Sequence, residues 1–237
     1  MLELILPTAV ACAESFADVP ESTLLPEELE ALGTARHEGR RREFTTVRHC
    51  ARQALADIGV PPVPVLPGER GAPLWPHGVV GSMTHSAGYR AAAVALSDHV
   101  RAVGIDAEPH AALPGRTLGA VTLPVERERL AALASDFPQV HWDRLLFCAK
   151  EAVYKAWFPM TRRRLGFRDA SVTFDPAGRT FRAEIVGGTG EEPPPPAPLV
   201  YEGRWAAAQR LLLAAVVVPV GPAAVRNRPD CATRPTS

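Results

Sequence analysis

Lysine is almost absent from this 237-residue chain. Lys150 and Lys155 are the only lysines among 26 basic residues, and every other basic residue is arginine. The two lysines lie in the stretch FCAKEAVYKAWFP, on either side of Glu151. Because the composition favours arginine wherever either cation would serve, lysine at these positions indicates a task that suits a compact ammonium group with an adjustable pKa.

The chain also lacks long hydrophobic runs and an excess of either charge. The run AAAVAL is short, and LLLAAVVVPV is interrupted by Pro219, so neither reaches the roughly 18 apolar residues that a membrane-spanning helix needs. Acidic and basic residues number 26 each, which provides no basic field for nonspecific binding of nucleic acid. We therefore expect neither a membrane span nor a nucleic-acid partner.

Cysteine is sparse and shows no CxxC spacing. The four cysteines are Cys12, Cys50, Cys148 and Cys231. Scattered cysteines of this kind predict reduced thiols in a cytoplasmic protein. The opening LILPTAVACAES resembles a signal peptide, but it has no positive n-region, and Glu3 and Pro7 interrupt its apolar run, so we do not expect secretion.

The first half of the chain predicts helices followed by strands. Residues 27–58 carry apolar side chains at a helical period and end at Gly59 and the proline cluster VPPVPVLPG. The segments VVGSMTH, YRAAAVAL and RAVGID then predict three short strands, with a Ser-Ala-Gly turn between the first two.

The second half predicts the same order. VERERLAALA is helical, and a further helix is expected from Asp143, as its N-cap, to Phe158, with Pro159 ending it. DASVTFD, TFRAEIV and LLLAAVVV predict strands, and GGTGEEPPPPAP predicts a surface excursion. We therefore expect an α+β fold of two similar lobes over residues 1–109 and 110–220, although no sequence repeat supports the similarity. A disordered tail is expected at 221–237.

The segment GIDAE places Asp106 and Glu108 on one face at a strand end. A solvated strand end is one interpretation. The other is a site for Mg²⁺, which prefers oxygen ligands and binds through carboxylates together with phosphate oxygens.

Glu151 strengthens the second interpretation. Lys155 lies four residues later, on the same helix face. An exposed ion pair would explain this spacing but not the choice of lysine, so the pattern favours contact with phosphate or a proton transfer for Lys155.

Further polar residues gather in two segments. GSMTHSAGYR places Ser82, Thr84 and His85 in a small-residue turn that could cradle a phosphate. Arg40 and Arg48 are about two helical turns apart, and Arg70 lies in a loop. Arginine suits phosphate, and a solvated basic helix face is the alternative for Arg40 and Arg48.

Taken together, GSMTHSAGYRAAAV, VGIDAEP and FCAKEAVYKAWFP resemble, in this order and spacing, the signature blocks of the Sfp-type 4′-phosphopantetheinyl transferase family. The resemblance extends from the helix near Arg40 to about residue 174. It implies two similar α/β lobes with the active site between them. It also implies transfer of the phosphopantetheine arm of coenzyme A to a serine of an apo acyl or peptidyl carrier protein. The sequence leaves the oligomeric state open, but a two-lobed chain that forms its own cleft can act as a monomer.

The resemblance also implies roles for individual residues. Asp106, Glu108 and Glu151 would bind Mg²⁺, with Mn²⁺ as a possible substitute. Glu151 would activate the carrier serine, and Lys155 and His85 would complete the catalytic set. The remaining coenzyme contacts would be Arg40, Arg48, Arg70, Ser82, Thr84 and Lys150. Arg70 replaces a lysine that is frequent in relatives, and Ser86 replaces a frequent cysteine.

Two other functions use the same residues. A Mg²⁺-dependent hydrolase of a coenzyme A or nucleotide pyrophosphate would employ the same carboxylates with water as the nucleophile. A noncatalytic coenzyme A-binding module would not require the full set of Asp106, Glu108, Glu151 and Lys155.

Overall fold

The protein is described by a computed structural model that covers residues 1–33, 37–86, 88–187 and 197–221. The α-helices of these residues are α1 (Pro26–Leu32), α2 (Glu38–Asp57), α3 (Gly115–Val121), α4 (Pro124–Asp136) and α5 (Trp142–Thr161). The strands are β1 (Ala11–Ser15), β2 (Leu66–Pro67), β3 (Pro73–Leu74), β4 (Val79–Ser86), β5 (Tyr89–Leu96), β6 (Val100–Pro109), β7 (Ala170–Asp175), β8 (Thr180–Ile185), β9 (Val200–Ala208) and β10 (Leu211–Pro219). Short 3₁₀ turns lie at Leu2–Leu4, Glu21–Thr23, Glu69–Gly71 and Phe167–Asp169.

Two antiparallel sheets form the centre of the fold. The first has the order β1-β5-β4, and the second has the order β6-β10-β9-β8-β7. The strands β2 and β3 form a separate small hairpin. No helix of the described residues is long and apolar enough to cross a lipid bilayer.

The strand β5 of the first sheet lies between the helix α2 and the second sheet, and its alternating side chains contact one or the other. Ala92 and Val94 pack against Cys50 and Ala54 of α2, while the other face of β5 packs against β6 and β10. The helix α5 covers the opposite face of the second sheet. The order through the molecule is therefore α2, first sheet, second sheet, α5, because the period-two alternation of each strand allows both of its faces to be buried.

The two halves repeat one topology. The first half runs β1-α1-α2-β2-β3-β4-β5, and the second runs β6-α4-α5-β7-β8-β9-β10, with α3 as an addition. The sheet orders β1-β5-β4 and β6-β10-β9 correspond as well. The prediction of an α+β fold with two similar lobes is therefore confirmed.

Individual residues also repeat, at a spacing of 98 positions. Glu28 and Glu126 are buried and accept bonds from the backbone N–H groups of Leu25 and Leu123, at 3.0 and 2.8 Å. The Leu-Pro-x-Glu motif at 25–28 and the Cys-Ala-Arg motif at 50–52 recur 98 residues later, as Leu-Pro-x-Glu at 123–126 and Cys-Ala-Lys at 148–150. Sequence reasoning found no repeat because these matches are short and widely separated.

The contacts of Cys50 and Cys148 show which strand residues of the two lobes correspond. Cys50 Sγ contacts the carbonyl oxygen of Arg90 in β5 at 3.7 Å, and Cys148 Sγ contacts that of Leu212 in β10 at 3.6 Å. Arg90 pairs with Ser15 of β1, and Leu212 pairs with Glu108 of β6. Ser15 in the first lobe therefore corresponds to Glu108 in the second.

Most elements expected from the sequence are present, but the helix α3 and four strands, β1, β2, β3 and β9, were missed. The strand β1 had been considered only as part of a signal-like segment, and β9 (VYEGRWAAA) was not predicted. The division after residue 109 stays a prediction, and the pairing of β6 with β10 favours a boundary between β5 and β6 instead. The excursion at 188–196 and nearly all of the tail lie outside the described residues.

The predicted ends of α5 were wrong. His141 is the N-cap residue, and Asp143 lies in the first turn, where its carboxylate accepts the N–H of Leu113 at 2.8 Å. Pro159 lies inside the helix, which continues to Thr161 before Arg162 adopts a left-handed conformation. The proline removes one backbone donor, but burial of its neighbours Trp157 and Phe158 in the core stabilises the last turn.

Candidate functional site between the lobes

The outer edge of β6 is closed by hydroxyl groups of β4. Ser82 Oγ accepts the N–H of Ile105 at 3.1 Å, and Thr84 Oγ1 accepts that of Ala107 at 3.2 Å. Both hydroxyl side chains are buried. The two hydroxyls therefore fix the strand that carries the acidic residues, and the predicted place of Ser82 and Thr84 in a coenzyme-binding turn stays a prediction.

A glycine allows α5 to lie directly on β6. A Cβ atom added at Gly104 would be 1.9 Å from the carbonyl oxygen of Ala152 and 2.8 Å from the nitrogen of Ala156. Only glycine permits this separation. The contact brings the Glu151–Lys155 turn of α5 beside Asp106.

Asp106 is the centre of the resulting cluster. Its Oδ1 accepts a bond from Lys155 Nζ at 2.7 Å and another from Thr84 Oγ1 at 3.1 Å. Lys155 Nζ also donates to the carbonyl oxygen of Ile105 at 3.0 Å. Asp106 Oδ2 is buried and has no hydrogen-bond partner. A buried, charged oxygen without a partner is costly, so it marks a position that a cation would stabilise.

Glu151 and Glu108 respond electrostatically to this cluster. Burial, followed by the charge of Asp106, raises the pKa of Glu151, while Lys155 opposes the shift. Burial and the charge of Asp106 likewise raise the pKa of Glu108, and Arg144 opposes. Asp106 is therefore near enough to both glutamates for its charge to raise their pKa values.

The acidic residues are not arranged as a finished metal cage. Within the described part of the chain, no three His, Cys, Asp or Glu side chains are grouped so as to hold a metal ion. Two of the carboxylates already have a cationic side chain as partner: Lys155 contacts Asp106, and Arg144 Nη1 donates to Glu108 Oε2 at 2.9 Å. The unpartnered Oδ2 of Asp106 and the raised pKa values of both glutamates nevertheless fit an additional divalent cation.

The first lobe lacks these acidic groups. Two positions before Ser15, Ala13 pairs with Ala92, just as Asp106 pairs with Ala214 two positions before Glu108. At the spacing of 98 residues, Gln53 corresponds to Glu151. Alanine, serine and glutamine replace the three carboxylates, so only the second lobe carries the acidic set.

Lys150 has a different position from the one predicted. Its ammonium donates to Val121 O at 2.9 Å, Glu126 Oε2 at 2.7 Å and Phe167 O at 2.7 Å. Since an ammonium has three donors, none is left for phosphate. Arg52 occupies the equivalent place in the first lobe, where it contacts Glu28 and Thr23 O. We therefore correct the predicted coenzyme contact of Lys150 to a structural role.

The predicted arginines differ in their surroundings. Arg48 is buried, donates to Val65 O at 2.8 Å, and lies over the ring of Phe44, with 3.2 Å between its Cζ and the ring centroid. Burial lowers the pKa of Arg48 to about 10. Arg48 therefore stabilises the first lobe through its contacts with Val65 and Phe44. These contacts do not direct its guanidinium towards a coenzyme.

Arg40 and Arg70 are exposed. Arg70 has a left-handed backbone, with φ 55°, and its Nε lies 3.8 Å from Glu69 Oε1. Neither arginine contacts the acidic residues, so their predicted coenzyme contacts stay predictions.

His85 lies at the end of β4, with about half of its side chain exposed. Its Nδ1 is 3.5 Å from Glu43 Oε2 on α2. Partial burial lowers the pKa of His85, Glu43 raises it, and Lys155 lowers it. The charges of Lys155 and Asp106 therefore act on His85. Its predicted catalytic role and coenzyme contact stay predictions, and the sequence did not indicate Arg144 or Glu43.

Two surface cavities lie in the second lobe. One, of about 490 Å³, is lined by Trp142 and Trp205 among other residues, and the other, of about 450 Å³, by Leu118 and Leu130 among others. Neither lining includes a predicted site residue. The acidic cluster therefore lies outside these two cavities.

A buried aspartate, two half-buried glutamates and a lysine at the junction of two similar lobes are typical of proteins that bind charged phosphate esters together with a cation. Comparison of the sequence with models of known protein families specifies the family. Residues 28–95 match the model of the 4′-phosphopantetheinyl transferase N-terminal domain, and residues 102–196 match that of the 4′-phosphopantetheinyl transferase superfamily. The chain belongs to the 4′-phosphopantetheinyl transferase superfamily.

Several curated relatives are similar over nearly their whole length. The chain is 49% identical over 224 residues to the 4′-phosphopantetheinyl transferase PptT of Mycobacterium tuberculosis, covering 90% of this chain and 96% of that one. It is 48% identical over 236 residues to 4′-phosphopantetheinyl transferase Svp of Streptomyces mobaraensis, covering 94% and 92%. It is 49% identical over 225 residues to 4′-phosphopantetheinyl transferase Npt of Nocardia iowensis, covering 91% and 99%.

Proposed function

We propose that this chain transfers the 4′-phosphopantetheine arm of coenzyme A to a serine of an apo acyl or peptidyl carrier protein. The serine oxygen forms a bond to the β-phosphorus of the coenzyme, and the bond from that phosphorus to the bridging oxygen breaks. Adenosine 3′,5′-bisphosphate leaves. The observation that carries the proposal is the meeting of Asp106 with Lys155 beside Glu151, together with the family membership.

Each side chain of the cluster has a proposed task. Asp106, Glu108 and Glu151 would hold Mg²⁺ or Mn²⁺, which when bound supplies Lewis acidity to the pyrophosphate. The raised pKa of Glu151 suits a general base that takes the serine proton. Lys155 neutralises charge on the departing phosphate, and His85, Arg40 and Arg70 contact the coenzyme phosphates.

We further propose that the protein works as a monomer in the cytoplasm. The lobes of a single chain form the cluster without a second subunit. The three cysteines in the described segments, Cys12, Cys50 and Cys148, are free thiols, which agrees with a reducing compartment.

The test is incubation with coenzyme A, Mg²⁺ and a panel of apo carrier proteins, followed by intact-mass measurement. We expect a gain of one phosphopantetheine on a carrier, released adenosine 3′,5′-bisphosphate, and loss of both in E151Q or in EDTA. Phosphopantetheine released without a carrier would instead support the hydrolase. Coenzyme A binding without turnover on every carrier would support the binding module.

A further inference from the structure

Arg144, in the first turn of α5, holds together the segment that follows β6. Its guanidinium donates to Glu108 Oε2 at 2.9 Å, to Ala111 O at 3.2 Å and to Ala112 O at 3.0 Å. The two backbone contacts fix the guanidinium independently of Glu108. The position of the Glu108 carboxylate therefore follows from that of Arg144.

The Arg144–Glu108 pair is shielded from solvent. The side chains of Arg144 and Glu108 are 16% and 19% exposed, so the charge-assisted bond is stronger than a surface ion pair. Only one oxygen of Glu108 is used by Arg144. The other is left for a further partner, on the strand that also carries the unpartnered Oδ2 of Asp106.

The first lobe shows what the same position does without an acidic residue. Thr46 lies 98 residues before Arg144, and its Oγ1 accepts the N–H of Val19 at 3.1 Å and donates to Asp18 Oδ1 at 3.4 Å. Asp18 and Val19 follow Ser15 by three and four residues, as Ala111 and Ala112 follow Glu108. A threonine hydroxyl is therefore enough to anchor the segment after the first strand of a lobe.

Arginine at position 144 adds one thing that this anchoring does not need, namely a third donor directed back at the strand residue Glu108. Glu108 corresponds to the neutral Ser15 in the first lobe, and the Thr46 hydroxyl donates to Asp18 of the anchored segment rather than to Ser15. The extra donor therefore accompanies the acidic residue rather than the shared backbone anchor.

We propose that Arg144 is a positioning residue for the divalent cation: it holds one oxygen of Glu108 so that the other is fixed beside Asp106. This inference rests on the proposed function, because it concerns the ion assigned to Asp106, Glu108 and Glu151. Side chains that orient a metal ligand typically change metal affinity by about 10- to 100-fold when they are replaced.

The test is a titration of the full-length protein with Mn²⁺ in the presence of coenzyme A, followed by electron paramagnetic resonance of the free ion. We expect the Mn²⁺ Kd to rise about tenfold in both R144Q and R144K. Lysine keeps the positive charge but lacks the planar fork with which the guanidinium spans Glu108, Ala111 and Ala112. Transfer at saturating Mg²⁺ should recover, while the Mg²⁺ concentration needed for half-maximal rate rises in parallel.

The matched control is R127Q. Arg127 on α4 also ties a neighbouring segment, through Thr122 Oγ1 at 2.8 Å and Gly119 O at 3.4 Å, but contacts no acidic residue of the site. Its Mn²⁺ affinity should be unchanged. Circular dichroism and melting of every variant establish that each is folded.

Two patterns would overturn the inference. If Arg144 only repels the ion, R144Q binds Mn²⁺ more tightly than the wild type and R144K binds equally well. If Arg144 is only structural, both variants bind Mn²⁺ as the wild type does and differ only in melting temperature. A wild-type protein that binds Mn²⁺ but transfers nothing would contradict the proposed function alone, and a wild type without Mn²⁺ binding would contradict both.

Discussion

Gly104 and Ala152 approach so closely that a Cβ at position 104 would lie 1.9 Å from the Ala152 carbonyl oxygen. The close contact between β6 and α5 is what places Lys155 within hydrogen-bond distance of Asp106. We therefore expect G104A to destabilise the protein by about 3 kcal/mol, since overpacking a tight contact forces the backbone apart, and to reduce transfer strongly. Thermal melting and the carrier-protein assay measure the two effects.

The matched substitution is G119A, in α3, where an added Cβ meets nothing within 4 Å. It should leave transfer unchanged and raise stability by about 0.5–1 kcal/mol, because alanine favours a helix over glycine. A G104A protein that is as stable and active as G119A would show that the contact does not assemble the site.

Replacement by methionine should mainly reduce the stability of the protein at Lys150 and the transfer activity at Lys155. K150M leaves Glu126 buried and unpaired, so we expect a loss of about 3–5 kcal/mol, measured by urea unfolding. K155M removes a partly exposed ammonium and leaves the buried Asp106 with the Thr84 hydroxyl as its hydrogen-bond donor, so a stability loss of about 2 kcal/mol is expected, together with loss of transfer in the folded protein. Equal stability of the two variants would contradict the structural role of Lys150.

A comparison of stability with activity also distinguishes the roles of Arg40 and Arg48. R48Q loses the bond to Val65 O and the contact with Phe44, so it should cost about 2 kcal/mol of stability. R40Q should melt as the wild type does, while its KM for coenzyme A rises about tenfold through loss of one charge-assisted contact. An unchanged KM in R40Q would remove Arg40 from the coenzyme site.

Glu151 makes stability depend on pH in a defined direction. Burial and Asp106 raise its pKa above the usual 4.5, so the folded state binds more protons than the unfolded state between 4.5 and the raised value. Stability of the wild type should therefore fall as pH rises through this window. E151Q lacks this dependence, and without divalent ions at pH 7 it should melt at a higher temperature than the wild type, although inactive.

The measurement is a pair of melts in EDTA at pH 4 and pH 7 for both proteins. The advantage of E151Q should vanish at pH 4, where Glu151 is protonated. Added Mn²⁺ should raise the Tm of the wild type more than that of E151Q. An E151Q protein less stable than the wild type at pH 7 would show that Glu151 is not repelled by Asp106.

The sequence predicts the acidic cluster well because its members lie in compact motifs. Asp106 and Glu108 are two residues apart on one strand, and Glu151 and Lys155 are four apart on one helix, so local periodicity alone fixes which face they share. The residue types then suggest their partners, and the structure brings Asp106 and Lys155 together.

Roles that depend on distant partners could not be predicted in this way. Lys150 looks like its neighbour Lys155 in the sequence, but Glu126 and the carbonyl oxygens of Val121 and Phe167 surround it only after the lobe has folded. Arg144 reaches a carboxylate 36 residues away. The strand β1 was missed since ACAES has the small residues of a cleavage site rather than β-branched ones.

The hydroxyls of Ser82 and Thr84 have a consequence for the behaviour of the protein in concentrated solution. A strand with free N–H groups at a sheet border can recruit a strand from another molecule and start aggregation. On β6, Ser82 and Thr84 occupy the N–H groups of Ile105 and Ala107, so a foreign strand finds no donors there. These two side chains thus protect the strand that carries the chemistry from intermolecular pairing.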